Sequence, residues 1–301
     1  MTILKTILYF SIFKHPLNKL ELLKFSIISS EDALNEQLSL LLQKGTIFKI
    51  GDFYTDHNDS SIIERRLIGN QRAKEIMPKA VKVSRRIAKF PYVECVCLSG
   101  ALSKGYYDDN GDFDFFIITK PNRLWIARTL LVFYKKVFLL NSKKYFCVNY
   151  FISSDNLEIP EQNLFTATEI VTLIPLYGRD TFKAFLDANT WVLPYFPNKP
   201  ITQTNTTRDT KKNAVSQLIQ KLLNGNFGLL VDKKLQKITL KKWVKKFKHL
   251  ADEDFNIAMK STRQASKHHP QNYQNKVTKR LHERYTEVIK QFNLKSHEEH
   301  A

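Results

Sequence analysis

Two apolar strands joined by a polar loop, within residues 95–119, constrain the fold of this chain most strongly. The first strand is predicted to end at Ser99-Gly100 and the second to begin at Asp112. Because side chains alternate along a strand, Asp112 and Asp114 point to one face, and the phenylalanines and isoleucine between and after them point into a core. Two like charges side by side are unfavourable unless a cation lies between them or one takes a proton. The stretch therefore predicts a divalent metal site.

The loop between these strands has features of a phosphate-binding loop. Gly100 and Gly105 would let the backbone approach a triphosphate closely, and Lys104 would place a positive charge on it. Mg²⁺ in phosphoryl and nucleotidyl transfer is commonly held by one or two carboxylates together with substrate phosphates. The alternative is purely structural: residues 108–111, Asp-Asp-Asn-Gly, form a hairpin turn, and the aspartates solvate a strand end.

The spacing of these residues resembles a family signature. Gly100 and Ala101 are followed by ten residues and then by Asp112-Phe113-Asp114, which is similar to the Gly-Ser, ten residues, Asp-x-Asp motif of the DNA polymerase beta-like nucleotidyltransferase superfamily. The resemblance covers residues 92 to about 155 and implies an α/β (α+β) fold with a small mixed sheet. It implies Asp112 and Asp114 as ligands of Mg²⁺ or Mn²⁺. The nucleotide-binding positions that it implies are Ser99, Gly100, Ala101, Ser103, Lys104 and Gly105.

Two positions depart from the family pattern. Ala101 stands where the family has a serine that helps to hold the phosphates, and Ser99 and Ser103 flank it. The family's third carboxylate comes from a later strand, and the candidate strand here, residues 143–152, offers Asn149. Asn149 could ligate a metal through its carbonyl but would be a poor general base. Asp155 and Glu158 lie just beyond that strand.

The resemblance implies transfer of a nucleoside monophosphate from an NTP, with ATP as the first candidate, to an acceptor hydroxyl. The acceptor, whether protein, RNA or small molecule, is not readable from the sequence. Ala101 and Asn149 favour a second hypothesis, a degenerate nucleotidyltransferase that binds nucleotide or serves as a scaffold. A DNA-binding regulator is a third reading and depends on the N-terminal region alone.

Residues 1–58 resemble a winged helix-like domain. Three amphipathic helices are predicted, the third beginning after Ser29 or Ser30, and a hairpin with a turn at Gly51-Asp52 follows them. Such domains often bind DNA through the third helix. Here that helix begins with acidic residues, Glu31, Asp32 and Glu36, which would repel phosphates. A docking or structural role is therefore favoured over DNA recognition.

The rest of the chain divides by composition. Residues 59–90 read as a connecting helix that Pro78 should kink or divide. Residues 91–195 are assigned to the nucleotidyltransferase domain, with a helical segment at 161–192 that breaks at Pro175. Residues 194–205 read as a linker, and residues 206–301 as a basic helical C-terminal region.

Charge is concentrated in the last third of the chain. The net charge is +18, and from Lys199 onward 22 Lys and Arg against 9 Asp and Glu contribute +13 of it. Such a segment attracts polyanions, with nucleic acid as the first candidate and an acidic membrane surface as the second. A solvated helix face is the structural alternative.

Cysteine and apolar patterns bear on location. The three cysteines, Cys95, Cys97 and Cys147, fall in predicted strands, so buried thiols in a reducing cytoplasm are expected. A long apolar run, residues 124–140, is interrupted by Arg128, Lys135 and Lys136. It is therefore predicted to be a buried amphipathic helix, and no integral membrane segment is expected.

Overall fold

The N-terminal region folds into three helices and a small antiparallel sheet. A computed structural model of the protein describes residues 1–142, 144–198 and 210–294. The first elements are α1 (Ile3–Ser11), β1 (Leu17–Asn18), α2 (Lys19–Phe25), α3 (Glu31–Gln43), β2 (Phe48–Ile50) and β3 (Phe53–Thr55). β3 pairs antiparallel with both β1 and β2. The predicted order of three helices and a hairpin is therefore present, with β1 added to the hairpin.

Local capping explains where two of these helices begin. Asn18 and Glu21 form a reciprocal capping box at the start of α2, and the Ser30 hydroxyl accepts a hydrogen bond from Ala33 N at the start of α3. Each such cap satisfies backbone N–H groups that lack a partner inside the helix.

A single long helix, α4 (Ser61–Ala88), follows the hairpin. The expectation that Pro78 would divide it was wrong. A proline inside a helix costs about 3 kcal/mol through a lost hydrogen bond and a ring clash. Burial of Ala73, Ala80 and Ile87 against the large sheet offsets that cost here, because tertiary packing on both sides of the proline stabilises the helix.

The central region alternates strands and helices: β4 (Val93–Ser99), α5 (Gly100–Ser103), β5 (Asp114–Thr119), α6 (Leu124–Phe138), β6 (Cys147–Ser153), α7 (Leu164–Val171), β7 (Ile174–Tyr177) and α8 (Arg179–Asp187). A 3₁₀ turn at Thr190–Val192 closes it. The segment expected to be wholly helical thus contains a strand. Pro175 lies inside β7, which is tolerated because β7 is an edge strand.

The C-terminal region is mainly helical, as predicted, but it also contributes a strand. Its elements are α9 (Ala214–Leu222), α10 (Gly225–Lys246), α11 (Asp252–Ala258), β8 (Ala265–Lys267) and α12 (Tyr273–Gln291). The large sheet has the order β7-β4-β5-β6-β8. It is mixed: β5 and β6 are parallel, and the other three pairings are antiparallel.

Alternation along the strands divides the interior into two layers. On one face of the sheet, Phe115 and Ile117 of β5 pack with α4 and α6 around the fully buried Trp125. On the other face, Phe116 and Ile118 join residues of α1, α7, α8 and α12. The two ends of the chain therefore share one core with the central region.

Part of the predicted linker, from residue 199 onward, lies outside the described residues. Among the helices that the structure describes, none combines the length and the apolar character needed to span a bilayer.

Arg66 of α4 joins the N-terminal region to the long helix. Its side chain is 3 % exposed, is ion-paired with Glu21, and donates hydrogen bonds to Pro16 O and Asn70 Oδ1. We expect Arg66→Leu to lower the free energy of unfolding by about 2 kcal/mol or more. The substitution leaves the partly buried Glu21 carboxylate and the Pro16 carbonyl without the partner that Arg66 provides. Urea denaturation measures this loss.

The neighbouring Arg65 provides the control. Its side chain is 42 % exposed and pairs with Asp108 at 3.5 Å. An exposed pair of this kind contributes less than about 1 kcal/mol, so Arg65→Leu should cost correspondingly little. Equal losses in the two variants would contradict the role given to Arg66.

Candidate metal and nucleotide site

The two aspartates predicted to lie together do so at the beginning of β5. Asp114 is the first residue of the strand and is paired with Ser99 of β4, while Asp112 precedes the strand by two residues. Phe113 between them is fully buried, and its N–H donates to Lys144 O. This anchoring directs both carboxylates to the same side. The strand therefore starts two residues later than predicted, but the juxtaposition of the carboxylates is as expected.

A third donor, Cys147, completes the cluster and was not assigned to the site from the sequence. Carboxylate oxygens of Asp112 and Asp114 and the Cys147 Sγ all lie within 4.8 Å of one another. Cys147 is the partner of Asp114 in the parallel register of β5 and β6. Burial and the two neighbouring carboxylates raise the pKa of its thiol, so that it is protonated at neutral pH and donates to Asp114. Its position two residues before Asn149, on the same face of the strand, was the available signal.

Asn149 also reaches the cluster, but through its amide nitrogen. Nδ2 donates a hydrogen bond of 3.2 Å to Asp114 Oδ1. The register of β5 and β6 shifts between Phe115 and Phe116, so Asn149 has no partner residue on β5. Its backbone carbonyl accepts a hydrogen bond from His268 N instead. Asn149 therefore orients the Asp114 carboxylate. The alternatives Asp155 and Glu158 are exposed and do not belong to the cluster.

Gly100 lies directly against Asp114. Its φ is +70°, and a Cβ added there would lie 2.4 Å from Asp114 Oδ2. The residue must therefore be a glycine for conformational and for steric reasons. Gly105, at the other end of α5, also has a positive φ, +75°, but a Cβ would meet nothing within 4 Å.

The remaining loop positions surround the short helix α5. The Ser103 hydroxyl donates to Gly100 O at 2.9 Å, and Lys104 Nζ donates to the same carbonyl at 3.1 Å. Ser99 precedes the helix and makes no side-chain cap, and Ala101 is exposed. All six predicted nucleotide-binding positions thus lie within residues 99–105, where Ser99 is paired with Asp114 and Gly100 lies against its carboxylate.

Lys104 is held by a carboxylate from α7. Its Nζ lies 2.8 Å from Glu169 Oε1, and both side chains are largely buried. The sequence did not predict this partner, because Glu169 is distant in the chain and sits on a helix with no motif. The same carboxylate raises the pKa of the buried Tyr9 of α1, a shift caused mainly by burial. The N-terminal region therefore packs close to the site.

The electrostatics of the cluster depend on Asp114. Burial, followed by the charge of Asp112 and that of Glu169, raises the pKa of Asp114 to about 7, and the hydrogen bond from Cys147 opposes this shift. Below about pH 7 the Asp114 carboxyl is thus mostly protonated, and a bound cation would displace this proton.

Comparison with known proteins supplies no family for this chain: no family model matches it, and neither a curated protein nor a solved structure matches it significantly.

The raised pKa of Asp114 predicts a pH-dependent effect of Asp114→Asn. The folded protein binds a proton there between the unfolded pKa of 3.8 and the folded pKa of about 7. Asp114 therefore stabilises the fold at low pH, and this contribution is lost as pH rises through about 7. We expect the stability of Asp114→Asn relative to the original protein to increase by about 2–4 kcal/mol from pH 4 to pH 8.

Urea denaturation across this pH range, without divalent metal, measures the effect. Asp109→Asn is the control, because the Asp109 side chain is 87 % exposed and lies outside the cluster. A relative stability of Asp114→Asn that is constant with pH would show that folding does not raise the pKa of Asp114.

The two glycines of the loop give a second, matched comparison. Alanine at either position would have to adopt a left-handed backbone conformation, which lowers stability by about 1 kcal/mol. Only Gly100→Ala also collides with Asp114. We expect Gly100→Ala to lower the free energy of unfolding by at least about 1 kcal/mol more than Gly105→Ala. Equal costs in urea denaturation would mean that the Asp114 carboxylate moves aside freely.

Proposed function

We propose that this protein is a divalent metal-dependent nucleotidyltransferase, which transfers a nucleoside monophosphate from an NTP, with ATP as the first candidate, to an acceptor hydroxyl. The observation that carries the proposal is the cluster of Asp112, Asp114 and Cys147 beside the glycine loop. The resemblance of the Gly100 to Asp114 segment to the DNA polymerase beta-like nucleotidyltransferase superfamily supports it, as does the presence of a mixed sheet, which this resemblance implied.

The donor set fits a divalent cation. Asp112 and Asp114 would hold Mg²⁺ or Mn²⁺, since both ions favour carboxylate oxygens. Such an ion would neutralise the charge on the phosphates and on the leaving pyrophosphate. Asn149 and Cys147 act on the protein side: their hydrogen bonds fix the direction of the Asp114 carboxylate, which is the role of residues one layer behind a metal ligand.

The loop residues account for phosphate binding. Gly100 presents backbone next to Asp114 without a side chain in the way, so phosphates can approach the carboxylates closely. Lys104 would contact a phosphate by exchanging the Glu169 carboxylate for it, since its ammonium is already engaged. A phosphate group carries more negative charge than the Glu169 carboxylate. Lys104 would therefore favour a bound phosphate over Glu169 when both groups are within its reach.

Asn149 cannot serve as the base that takes a proton from the acceptor, because an amide is not basic at neutral pH, and its Nδ2 already donates to Asp114. The proton of the acceptor hydroxyl would then have to pass to a carboxylate of the cluster or to solvent. The choice of acceptor would then depend on the groups that position it. A protein, an RNA and a small molecule are the candidate acceptors.

Calorimetric titration with ATP, GTP, CTP and UTP, with and without Mg²⁺ or Mn²⁺, tests the proposal. We expect binding of at least one nucleotide that requires the metal, and a loss of affinity of at least about a hundredfold in Asp112→Asn/Asp114→Asn, because these two carboxylates would hold the metal. Asp108→Asn/Asp109→Asn is the matched control: it removes two carboxylates of the same loop outside the cluster.

The outcomes separate the hypotheses. Metal-dependent binding followed by transfer of label from an α-labelled NTP to an acceptor in a screen supports the enzyme. Metal-dependent binding without release of pyrophosphate for any acceptor would favour the nucleotide-binding scaffold. Absence of binding for all four nucleotides would contradict the proposed metal and nucleotide site. Equal binding by the double variant and by the original protein would contradict it as well.

A further inference from the structure

The helices α9 and α10 expose large apolar side chains to solvent. On α9, Val215, Leu218 and Leu222 are between 57 % and 65 % exposed. Their spacing of three and four residues places them on one face of the helix. On α10, Phe227 and Leu230 are 63 % and 65 % exposed, and the face continues to Ile238 and Val244. These seven side chains define what we call the α9–α10 surface.

Lysines are interspersed with these apolar side chains, and acidic groups are missing from among them. Residues 210–250 contain 11 Lys and one acidic residue, Asp232, a net charge of +10. Asp232 is buried and accepts a hydrogen bond from Ile126 N, so it faces the protein. Lys234, Lys237 and Lys241 are exposed beside Leu230 and Ile238. The outward face of α10 is thus both apolar and strongly cationic.

The surface is held firmly to the rest of the protein. The buried Arg123 donates to Leu223 O at 3.1 Å and to Gly225 O at 3.0 Å, which fixes the turn between the two helices. Further along α10, Trp243 packs against Trp125, and the Arg128 guanidinium lies 4.7 Å from the Trp243 ring centroid. The opposite side of α10 is therefore committed to the protein, and the exposed side chains are presented on a fixed support.

We infer that the α9–α10 surface binds an anionic lipid membrane. Cationic groups beside apolar side chains match a lipid headgroup layer, where lysines contact phosphates and leucine or phenylalanine side chains insert into the acyl boundary. The phosphates of a nucleic acid could pair with the lysines, but the aliphatic side chains of α9 make no favourable contact with a phosphate backbone. A protein partner would have to combine an apolar surface with high acidity, and nothing in the chain specifies one.

Sedimentation with large unilamellar vesicles tests this inference on the full-length protein. One vesicle set consists of phosphatidylcholine, and the other of equal parts phosphatidylcholine and phosphatidylglycerol. We expect the protein to sediment with the anionic vesicles alone, and sedimentation to decrease as NaCl is raised. Leu218→Ser/Leu222→Ser/Leu230→Ser and Lys237→Glu/Lys241→Glu should each reduce the partition coefficient at least about tenfold, since apolar insertion and charge both contribute.

Matched changes elsewhere provide the controls. Leu20→Ser removes a side chain that is 73 % exposed on α2, and Lys74→Glu/Lys82→Glu reverses two exposed charges on α4. Both controls should bind the anionic vesicles like the original protein. All altered positions are exposed, and an unchanged thermal unfolding midpoint verifies that each variant is folded.

Other results would overturn the inference. One is failure of the original protein to sediment with anionic vesicles. Another is loss of sedimentation in the charge variant alone, together with equivalent loss of single-stranded RNA binding, which would assign the surface to nucleic acid. A third is self-association in analytical ultracentrifugation that the apolar variant abolishes, without vesicle binding, which would assign it to a second copy of the chain. The nucleotide site is tested separately, since none of these variants touches it.

Discussion

The close approach between Gly100 and Asp114 is the constraint on which the site depends. Antiparallel pairing brings Ser99 opposite Asp114, so the chain leaving β4 turns directly over the carboxylate. Only a residue without a side chain can make that turn, because it needs a positive φ and the space of the missing Cβ is filled by Asp114 Oδ2. The loop, the short helix α5 and Lys104 all take their positions from this turn.

The same geometry brings negative charges close together, and neighbouring groups partly compensate for their repulsion. Three acidic side chains, Asp112, Asp114 and Glu169, face one small region. Glu169 is balanced by Lys104, and Asp114 accepts hydrogen bonds from Asn149 and Cys147. The remaining repulsion appears as the raised pKa of Asp114. The proposed cation would displace this proton, and its affinity would therefore fall with decreasing pH through this range.

Sequence patterns predicted local features well and long-range ones poorly. The alternation around Phe113 was enough to place Asp112 and Asp114 side by side, because a strand's periodicity is a property of adjacent residues. Glu169 could not be assigned, since its position depends on the docking of α7. Cys147 was overlooked, although its alternation with Asn149 places both on one face of β6. Pro175 was read as a helix break, although it marks an edge strand, and Pro78 was expected to divide a helix that tertiary packing keeps continuous. Short β8 lacked any periodicity to detect.

The ends of the large sheet have a consequence for how the protein behaves at high concentration. Exposed strand edges are templates onto which another chain can add. At one edge, β7 has four residues and includes Pro175, which has no N–H to offer a new strand. At the other edge, β8 has three residues and comes from a segment remote in sequence. Both edge strands are therefore short, and β7 also lacks a backbone donor at Pro175, so addition of another chain to the sheet is disfavoured.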